Sequence, residues 1–467
     1  MLINFVDREE ELAFLEEKYR SEGFELIIIY GRRRVGKTEL IKKFIHDKPS
    51  IYCLSSLEDK EKQLEGIGND ISNYFGGIKP YIREWEDLFQ YFTEKAPEGT
   101  ILVIDEFPYL MEENNSIPSY FQKFVDEYLR DKDLMVILCG SSIGMMEDLK
   151  SYKNPLYGRR TGQIDLKQFK FKDARKMLPK TNFQEEIRYY SVFGGIPFYL
   201  QKITESTLRD NIKEKICRTV EILHEEPYIL LRQEFRKPNR YFSIMESISS
   251  GSTTPKAISD RTKIPLQSVP KYLGELERVR LISHIFPVTD VERRSRRGIY
   301  KISDNFFDFW FRFLSPHLSD VEKGYDEFVD DHIMPGLDGY VGRKFEDVCI
   351  EFLREISKLE GKIRFTKIGK WWYKEEEIDV VALNERDKHI YFGECKWSNN
   401  KVGTSLLQDL KEKAKNVRWL SDDRTEEYIL FSKSSFTSGL IKEANKDENI
   451  SLYDLNDMER CFTAVKT

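Results

Sequence analysis

The sequence holds few of the residues that build metal clusters and disulfide frameworks. Its 467 residues include six cysteines and six histidines, and the cysteines stand at positions 53, 139, 217, 349, 395 and 461 without a CxxC spacing. This scatter argues against a zinc cluster or a disulfide scaffold and predicts a reducing, cytoplasmic setting. No apolar run approaches the roughly 20 residues that cross a bilayer, and the amino end does not resemble a signal peptide. We therefore expect no membrane partner.

Basic residues are also slightly fewer than acidic residues. Lysine and arginine number 74 against 80 acidic residues, which leaves a net charge of −6. A molecule that attracts nucleic acid over its whole surface is excluded, so any nucleic-acid contact must be local. The chain does have length and apolar content. Its 467 residues predict about two to four domains, and 40% hydrophobic residues suit packed globular units.

The most specific motif lies near the amino end, between an apolar strand over residues 26–30 and a helical stretch over 39–44. It is a complete GxxxxGKT loop, in the strand–loop–helix context where backbone amides wrap a phosphate chain. Lys37 is predicted to reach the β- and γ-phosphates and the Thr38 hydroxyl to bind Mg²⁺, so the expected cofactors are ATP and Mg²⁺. The residues predicted to bind the nucleotide are Gly31, Arg32, Arg33, Arg34, Val35, Gly36, Lys37, Thr38 and Glu39.

Two later strands end in polar residues that suit the same site. The apolar run 101–104 ends in Asp105 and Glu106, and a third strand ends just before Ser141 and Ser142. Ligands bind at the carboxyl ends of strands in open α/β sheets. Asp105 is expected to hold Mg²⁺ and Glu106 to orient and deprotonate the attacking water. Either serine is a candidate sensor of the γ-phosphate or the water. The alternative for the acidic pair is a helix N-cap.

The predicted secondary structure differs between four regions of the chain. Residues 1–169 alternate strands and helices, which predicts a parallel sheet and a P-loop ATPase domain. Residues 170–239 are predicted to form a small helical lid, broken at residues 194–197 (GGIP) because the residue before proline avoids the helical region. Residues 240–304 follow the order helix, helix, helix, hairpin, which is the layout of a winged helix-turn-helix.

The tip of the predicted wing is strongly basic, with four arginines within five residues. Such a cluster is typical of phosphate contact with nucleic acid. Two alternatives stay open, a solvated loop tip and a protein-docking module. The four residues are Arg293, Arg294, Arg296 and Arg297.

Residues 305–467 hold a second set of candidate residues. Two strands within 377–397 are predicted to pair antiparallel, with Asp379 on the first and Glu394 and Lys396 on one face of the second. Metal-dependent cleavage of phosphodiesters needs carboxylates that bind one or two Mg²⁺ ions and a lysine that orients the nucleophile. This pattern therefore predicts a metal site at Asp379 and Glu394.

A helix before these strands is predicted to begin at Gly342, and its Glu346 is a candidate for another metal ligand. The alternative is a half-exposed hairpin with ordinary surface acids and a surface lysine.

Taken together, these motifs make the chain resemble the P-loop ATPases of the AAA-related STAND/MNS group. More narrowly it resembles their archaeal branch, which carries a restriction-endonuclease-like domain at the carboxyl end. The stretches that carry the resemblance are residues 5–9, 31–38, 104–106, 140–142, 155–160, 194–197, 377–379 and 393–396.

The resemblance implies a five-stranded sheet in which the acidic strand lies next to the phosphate-loop strand. It also implies a sensing or finger role for Arg159 and Arg160, whose guanidinium groups would neutralise charge on the γ-phosphate. The C-terminal domain is similar to the PD-(D/E)XK nucleases, and the residues that map onto their motif are Asp379, Glu394 and Lys396.

The expected fold is α/β: a parallel-sheet P-loop ATPase core, a helical lid, a winged helix-turn-helix and a C-terminal α/β restriction-endonuclease-like domain. The leading functional hypothesis is a Mg²⁺-dependent ATPase that couples ATP binding and hydrolysis to a DNA or RNA transaction. Metal-dependent nuclease activity of the C-terminal domain is a further hypothesis. The alternative is an ATP-driven signalling switch or transcription regulator that acts on a protein partner, with a C-terminal domain that does not cleave. A protein partner or a homo-oligomer fits either hypothesis.

Overall fold

A computed structural model describes residues 5–76, 80–292, 295–325, 327–359, 361, 363–421 and 423–464. The chain forms two compact units, Met1–Gln168 and Phe169–Thr467. Within these described ranges, no helix combines the length and the apolar character needed to cross a bilayer.

The first unit is built on five strands: β1 (Glu25–Tyr30), β2 (Ser50–Leu54), β3 (Thr100–Asp105), β4 (Leu134–Gly140) and β5 (Gly162–Asp165). They form one sheet in the order β2-β3-β4-β1-β5, and every neighbouring pair is parallel. Strands β1, β3 and β4 are buried along their whole length. This double-sided burial explains why their sequences are uninterrupted apolar runs.

The helices of this unit are α1 (Glu9–Arg20), α2 (Lys37–Ile45), α3 (Lys60–Phe75), α4 (Trp85–Lys95), α5 (Phe107–Glu113), α6 (Ile117–Phe124) and α7 (Ile143–Asp148). Alternate residues of the central strands, such as Leu26 and Leu102, share a core with apolar side chains of α3 to α7. Several aromatic rings pack within that core, and the rings of Phe89 and Phe124 stack with their centroids 3.9 Å apart.

The strand order corrects one prediction. The sheet does have five strands, but the acidic strand β3 is not adjacent to the phosphate-loop strand β1. Strand β4 lies between them and pairs with β1 on one side and with β3 on the other. The chain crosses from β1 to the far edge at β2 and returns through β3 to β4. Because β3 and β4 are equally apolar, their sequence patterns do not reveal which of them pairs with β1.

The second unit begins with α8 (Phe171–Ala174), α9 (Phe183–Phe193), α10 (Pro197–Leu200), α11 (Leu208–Asn211) and α12 (Ile222–Glu234). The predicted break falls between α9 and α10. There the amide of Phe169 donates a hydrogen bond of 2.7 Å to the carbonyl of Gly195. A Cβ at Gly195 would lie 1.9 Å from the carbonyl oxygen of Phe169, so this close approach requires glycine.

Next come α13 (Asn239–Ser249), α14 (Pro255–Thr262), α15 (Val269–Arg278), β6 (Ile282–Ile285) and β7 (Ile299–Ile302). The predicted order of three helices and a hairpin is present, and β6 pairs antiparallel with β7. The aromatic run after this hairpin forms α16 (Asn305–Phe309) and a π-helical turn, Trp310–Leu314, whose aromatic side chains are buried. A short helix, α17 (Leu318–Glu322), follows.

A long helix and a mixed sheet complete the chain. They consist of α18 (Met334–Leu359), β8 (Lys367–Tyr373), β9 (Glu376–Asn384), β10 (His389–Lys396), α19 (Thr404–Lys415), β11 (Thr425–Ser432), α20 (Ser438–Ala444), β12 (Ile450–Asp454) and α21 (Leu455–Thr463). The sheet order is β12-β11-β10-β9-β8. Strands β8, β9 and β10 pair antiparallel, as predicted for the last two, while β11 and β12 are parallel to β10.

The start of the long helix was predicted wrongly. Gly342 does not begin a helix, because α18 starts eight residues earlier at Met334 and runs through it. A Cβ at Gly342 would lie 3.5 Å from Cβ of Trp397, so the helix packs closely there. Such tertiary packing overrides the low helix propensity of glycine.

Candidate ATP site and a carboxylate–lysine cluster

The phosphate loop joins β1 to α2, and hydrogen bonds link its two ends. Gly36 has a φ of 93°, a left-handed conformation that glycine adopts without strain. A Cβ at Gly31 would lie 2.2 Å from the carbonyl oxygen of Leu166. The buried ammonium of Lys37 donates hydrogen bonds to the carbonyls of Gly31 (3.0 Å) and Arg32 (3.1 Å). Burial lowers the pKa of Lys37, because a buried ammonium loses the hydration that favours its charged form.

The other predicted loop residues lie around this lysine. Val35 is buried, Glu39 is exposed in the first turn of α2, and Arg33 donates to the hydroxyl of Tyr109 at 3.4 Å. Arg34 has a φ of 70°, an unusual conformation for a residue with a side chain.

An oxygen-rich pair lies at the start of α2 and the end of β3. The hydroxyl of Thr38 donates to Oδ2 of Asp105 at 2.9 Å, and the hydroxyl of Tyr52 donates to the same oxygen at 2.5 Å. Burial raises the pKa of Asp105, but hydrogen bonds from Tyr52, Cys139, Thr38 and the amide of Glu106 outweigh it, so the net pKa lies below its usual value. The carboxylate is therefore held ionised. Hydroxyl and carboxylate oxygens are the donors that Mg²⁺ prefers, so this pair fits the ion.

The predicted water-activating acid meets the predicted sensor. Glu106 follows β3 in a left-handed conformation, with a φ of 53°. Its Oε2 accepts hydrogen bonds from the hydroxyl (2.9 Å) and the amide (3.2 Å) of Ser141. This contact forms because β3 and β4 are neighbours and their carboxyl ends meet. Ser142 stands at the N-cap of α7 and makes no side-chain capping bond there.

The two candidate arginines differ in their surroundings. The guanidinium of Arg159 forms an ion pair with Asp126 (Nη2 to Oδ2, 2.8 Å) and donates to the carbonyl of Pro155 at 2.9 Å. This pairing raises the pKa of Arg159. Arg160 is half-buried, and its Nη1 is buried without a hydrogen-bond partner among the described residues.

Tyr52 was not predicted as a site residue. It lies on β2, one strand beyond the acidic strand, and no spacing in the sequence links it to Asp105. Arg8 was also not assigned a role. It is buried, and it donates to the carbonyls of Lys167 (2.6 Å) and Val35 (3.4 Å), which ties the phosphate loop to the end of β5.

A second polar site lies in the mixed sheet. Carboxylate oxygens of Glu346, Glu377 and Asp379 all lie within 4.8 Å of one another. Glu346 comes from α18, while Glu377 and Asp379 lie on the same face of β9 because side chains alternate along a strand. Burial raises the pKa of Glu346 and of Asp379, and the nearby Glu394 raises that of Asp379 further. Three hard oxygen donors at this spacing fit a divalent cation such as Mg²⁺.

A lysine of β8 joins this group opposite a β-bulge in β9. Between Gly369 and Trp371 the pairing of β8 with β9 shifts register, because Lys370 stands opposite two residues of β9, Asp379 and Val380. Its ammonium contacts Oε2 of Glu346 and lies 3.3 Å from Oε1 of Glu377. Burial lowers the pKa of Lys370, but attraction to these two acids outweighs burial and leaves the pKa above its usual value.

The other two predicted residues form an ion-pair network beside the carboxylates. Glu394 is buried and pairs with Lys396 (3.0 Å) and with Lys413 of α19 (3.3 Å). Oδ2 of Asp379 accepts a hydrogen bond of 2.8 Å from the amide of Cys395. The structure thus groups Asp379 with Glu346 and Glu377, and gives Glu394 lysine partners.

Three members of this region, Lys370, Glu377 and Lys413, were not predicted. Glu377 offered a signal, since it stands two residues before Asp379 on the same strand. Lys370 and Lys413 offered none, because they lie on β8 and α19 and no spacing in the sequence links either residue to the carboxylates.

The β6–β7 hairpin contacts the same strand that carries Lys370. Arg297 pairs with Asp290 (Nε to Oδ2, 3.0 Å) and donates to the carbonyl of Trp372 at 2.9 Å, and the indole of Trp372 donates to the carbonyl of Arg297 at 3.0 Å. Arg296 is exposed. The other two predicted arginines, Arg293 and Arg294, lie outside the described residues.

The loop and the strand ends define a P-loop ATPase, and comparisons with known proteins agree. Residues 5–203 match an ATPase domain found predominantly in Archaea. Residues 310–414 match a family described as archaeal and bacterial proteins of unknown function. The chain is 37% identical to an uncharacterized protein of Methanocaldococcus jannaschii over 461 residues, which cover 97% of this chain and 99% of that relative. It therefore belongs to this archaeal ATPase family, and it is an ATP-binding ATPase.

Two further similarities are more distant. An uncharacterized ATP-binding protein of Methanocaldococcus jannaschii is 25% identical over 269 residues, which cover 45% of this chain and 74% of that protein. The fold is similar to that of a Walker-type ATPase of Pyrococcus abyssi, with a TM-score of 0.52 and 23% identity, over 66% of this chain and 96% of that one. The expectation of an archaeal P-loop ATPase is confirmed.

Proposed function

We propose that this ATPase works with Mg²⁺ and couples ATP hydrolysis to a transaction on DNA or RNA. The observation that carries the ATPase mechanism is the pair of contacts at neighbouring strand ends, Thr38 with Asp105 and Glu106 with Ser141. Thr38 and Asp105 would hold Mg²⁺, which when bound neutralises charge on the phosphates.

Side chains of the protein would carry out phosphate binding and proton transfer. Lys37 exchanges its bonds to the loop carbonyls for bonds to the β- and γ-phosphates. Glu106 accepts a proton from the attacking water, and Ser141 orients the Glu106 carboxylate. Arg160 is a better candidate for a sensing arginine than Arg159, which is committed to Asp126.

Turnover and nucleotide binding test this assignment together. Lys37→Ala is expected to abolish hydrolysis and most nucleotide binding. Glu106→Gln is expected to keep nucleotide binding and to lower turnover roughly 100-fold or more, the usual loss for a general base. Full turnover in the Lys37 variant would refute the assignment.

The nucleic-acid part rests on residues 240–304, whose order of three helices and a hairpin is that of a winged helix-turn-helix. In this proposal residues 170–239 are a helical lid and residues 305–467 a restriction-endonuclease-like domain. The exposed Arg296, with Arg293 and Arg294 nearby in sequence, is available for phosphate contact. Arg297 instead serves the contact between the hairpin and β8.

ATP turnover measured with and without duplex DNA, single-stranded DNA and RNA tests this coupling. Stimulation that weakens with added salt and is lost in an Arg296→Ala variant supports it, because phosphate contacts depend steeply on salt. Turnover unchanged by every nucleic acid would favour the alternative, an ATP-driven switch or regulator that acts on a protein partner.

A second candidate function is metal-dependent cleavage of phosphodiesters by the C-terminal part. It is favoured by three carboxylates within 4.8 Å of one another beside a lysine-bound glutamate. Glu346, Glu377 and Asp379 would hold Mg²⁺, which when bound polarises the phosphate. Lys396, which pairs with Glu394, would stabilise developing negative charge. Plasmid DNA incubated with Mg²⁺ or Mn²⁺ should be cut by the unsubstituted chain but not by an Asp379→Ala variant; equal loss in both samples would contradict it.

A further inference from the structure

The three neighbouring carboxylates in the mixed sheet already have a positively charged side chain beside them. Three carboxylates with oxygens within 4.8 Å of one another repel strongly unless positive charge lies among them. Lys370 supplies that charge to two of the three, since it contacts Glu346 and lies 3.3 Å from Glu377. A divalent cation bound to this group would use the same oxygens.

We propose that Lys370 is an internal counter-ion that neutralises Glu346 and Glu377 until a divalent cation displaces it. The proposal rests on the metal-dependent function proposed above and adds a regulatory residue to that site. A lysine suits this task because its ammonium is a compact charge on a flexible stem. An ammonium that swings away leaves both carboxylates free to bind metal.

The strand pairing explains why this lysine faces the carboxylates. Lys370 of β8 stands opposite Asp379 and Val380, the two residues of β9 at the β-bulge, and cross-strand neighbours share one face of a sheet. Lys367, three residues earlier on the same strand, instead pairs with the exposed Glu385 at 2.7 Å. Of the two described lysines of β8, Lys370 is the one that contacts Glu346 and Glu377.

The β6–β7 hairpin forms hydrogen bonds with β8 at Lys370 and two residues beyond it. Strand β8 lies at the edge of its sheet, where main-chain groups lack a neighbouring strand. The carbonyl of Lys370 accepts a hydrogen bond of 2.9 Å from the amide of Val288. Two residues on, Arg297 and Trp372 exchange hydrogen bonds of 2.9 and 3.0 Å. These bonds hold this part of β8 in place, so the docked hairpin favours the position of Lys370 that competes with metal.

Metal affinity tests the proposal without relying on catalysis. MnCl₂ is titrated into the full-length, nucleotide-free chain at pH 8 by isothermal calorimetry, and Asp379→Asn identifies the heat that belongs to this site. Lys370→Met is expected to bind Mn²⁺ at least about 5-fold more tightly, because Mn²⁺ no longer has to displace a competing cation. The affinity should rise by the factor with which the ammonium and the metal oppose each other's binding. Lys370→Gln provides the same loss of charge with a polar side chain, in case the methionine variant does not fold.

The matched control is Lys367→Met, which removes the same charge from the same strand and is expected to leave the affinity unchanged. Equal or weaker Mn²⁺ binding by both Lys370 variants would overturn the proposal and identify the lysine as a fixed structural partner. If unsubstituted and Asp379→Asn chains bind Mn²⁺ alike, the metal-dependent function itself fails, which is a different result.

The role of the hairpin is tested by Arg297→Ala in two backgrounds. In the unsubstituted chain it is expected to tighten Mn²⁺ binding, because it loosens the part of β8 that carries Lys370. In the Lys370→Met background it is expected to have no effect, since no competing ammonium remains. The same gain in both backgrounds would show that the hairpin does not act through Lys370.

Discussion

Ser141 binds Glu106 twice, through its hydroxyl at 2.9 Å and through its amide at 3.2 Å, and both bonds end on the same carboxylate oxygen. The contact joins the ends of two neighbouring strands, β3 and β4. It keeps the carboxylate of Glu106 in one orientation although the residue stands in a left-handed backbone conformation. In the proposed mechanism Glu106 is the general base, and its orientation would affect turnover because proton transfer requires hydrogen-bond geometry.

Removal of the Ser141 hydroxyl should therefore slow hydrolysis without weakening nucleotide binding. Ser141→Ala keeps the amide bond and loses one hydrogen bond to a charged group, a difference of about 1.5–3 kcal/mol. We expect kcat to fall roughly 10- to 100-fold with little change in KM, as measured by steady-state ATP hydrolysis. Ser142→Ala is the control, because this neighbour makes no side-chain capping bond in α7. A Ser141 variant with normal kcat would exclude the orienting role.

Tyr52 should set how much Mg²⁺ the ATPase needs. Its hydroxyl donates to Oδ2 of Asp105, the oxygen that also accepts from Thr38, and so helps to keep the carboxylate ionised and oriented. Loss of such a supporting bond typically weakens metal binding 10- to 100-fold. In Tyr52→Phe we expect the Mg²⁺ concentration for half-maximal turnover to rise roughly 10-fold, with turnover largely restored at high Mg²⁺.

The control for this titration is Tyr19→Phe, which removes a hydroxyl that donates to the carbonyl of Gly99. Its Mg²⁺ dependence should match that of the unsubstituted chain. If Tyr52→Phe shows the same dependence as this control, Tyr52 does not support the metal site.

Strands with two buried faces could be predicted from the sequence, and their order in the sheet could not. Residues 26–30, 101–104 and 134–139 are apolar throughout because both faces of β1, β3 and β4 are covered. The same uniformity hides which strands are neighbours, and the prediction that β3 lies beside β1 was wrong for this reason.

The carboxylate–lysine cluster marks a second limit of sequence reasoning. Strand alternation links Glu394 to Lys396, and the structure pairs them at 3.0 Å. Lys370 escapes any such rule, since it lies on β8 and meets the carboxylates only through the pairing of β8 with β9. The start of α18 was misplaced because Gly342 is a poor helix former in isolation, and its place inside the helix depends on packing near Trp397.

The tight turn after α9 should not accept any side chain at Gly195. A Cβ there would lie 1.9 Å from the backbone oxygen of Phe169, and that oxygen cannot move without breaking the bond from Phe169 N to Gly195 O. Gly195→Ala is expected to lower the free energy of unfolding by roughly 3 kcal/mol.

Gly274→Ala is a matched control in the same unit. Gly274 lies in the interior of α15, and nothing would meet its Cβ within 4 Å. Alanine there should raise stability by about 0.5–1 kcal/mol, the helix preference of alanine over glycine. Denaturant unfolding of the two variants should give shifts of opposite sign, and a neutral Gly195 variant would contradict the steric argument.

A buried glutamate on α18 should give the second unit a distinctive pH dependence. Glu351 accepts hydrogen bonds of 2.9 Å from the amides of Phe171 and Lys172. Burial nevertheless dominates over these bonds and raises its pKa from 4.5 to about 7. Between these two values the folded chain keeps the proton while the unfolded chain releases it. The unfolded state then binds fewer protons, so the free energy of unfolding falls as pH rises through this window.

The rise of the pKa of Glu351 from 4.5 to about 7 corresponds to a change in stability of roughly 3 kcal/mol at most. Glu351→Gln cannot ionise, so between pH 5 and pH 8 its stability should fall less than that of the unsubstituted chain. Urea unfolding at several pH values measures the difference between the two.

Glu355→Gln, one turn further along α18, provides the control with the opposite sign. Burial raises the pKa of Glu355, but its bond to Lys172 outweighs burial and lowers the net pKa. Its contribution to stability is present above the unfolded pKa and is lost only as pH falls below it. Between pH 5 and pH 8 the Glu355 variant should therefore run parallel to the unsubstituted chain. If the stability of the Glu351 variant also changes with pH as that of the unsubstituted chain does, the carboxyl of Glu351 is ionised throughout this range. The two hydrogen bonds from the amides, and not burial, then determine its pKa.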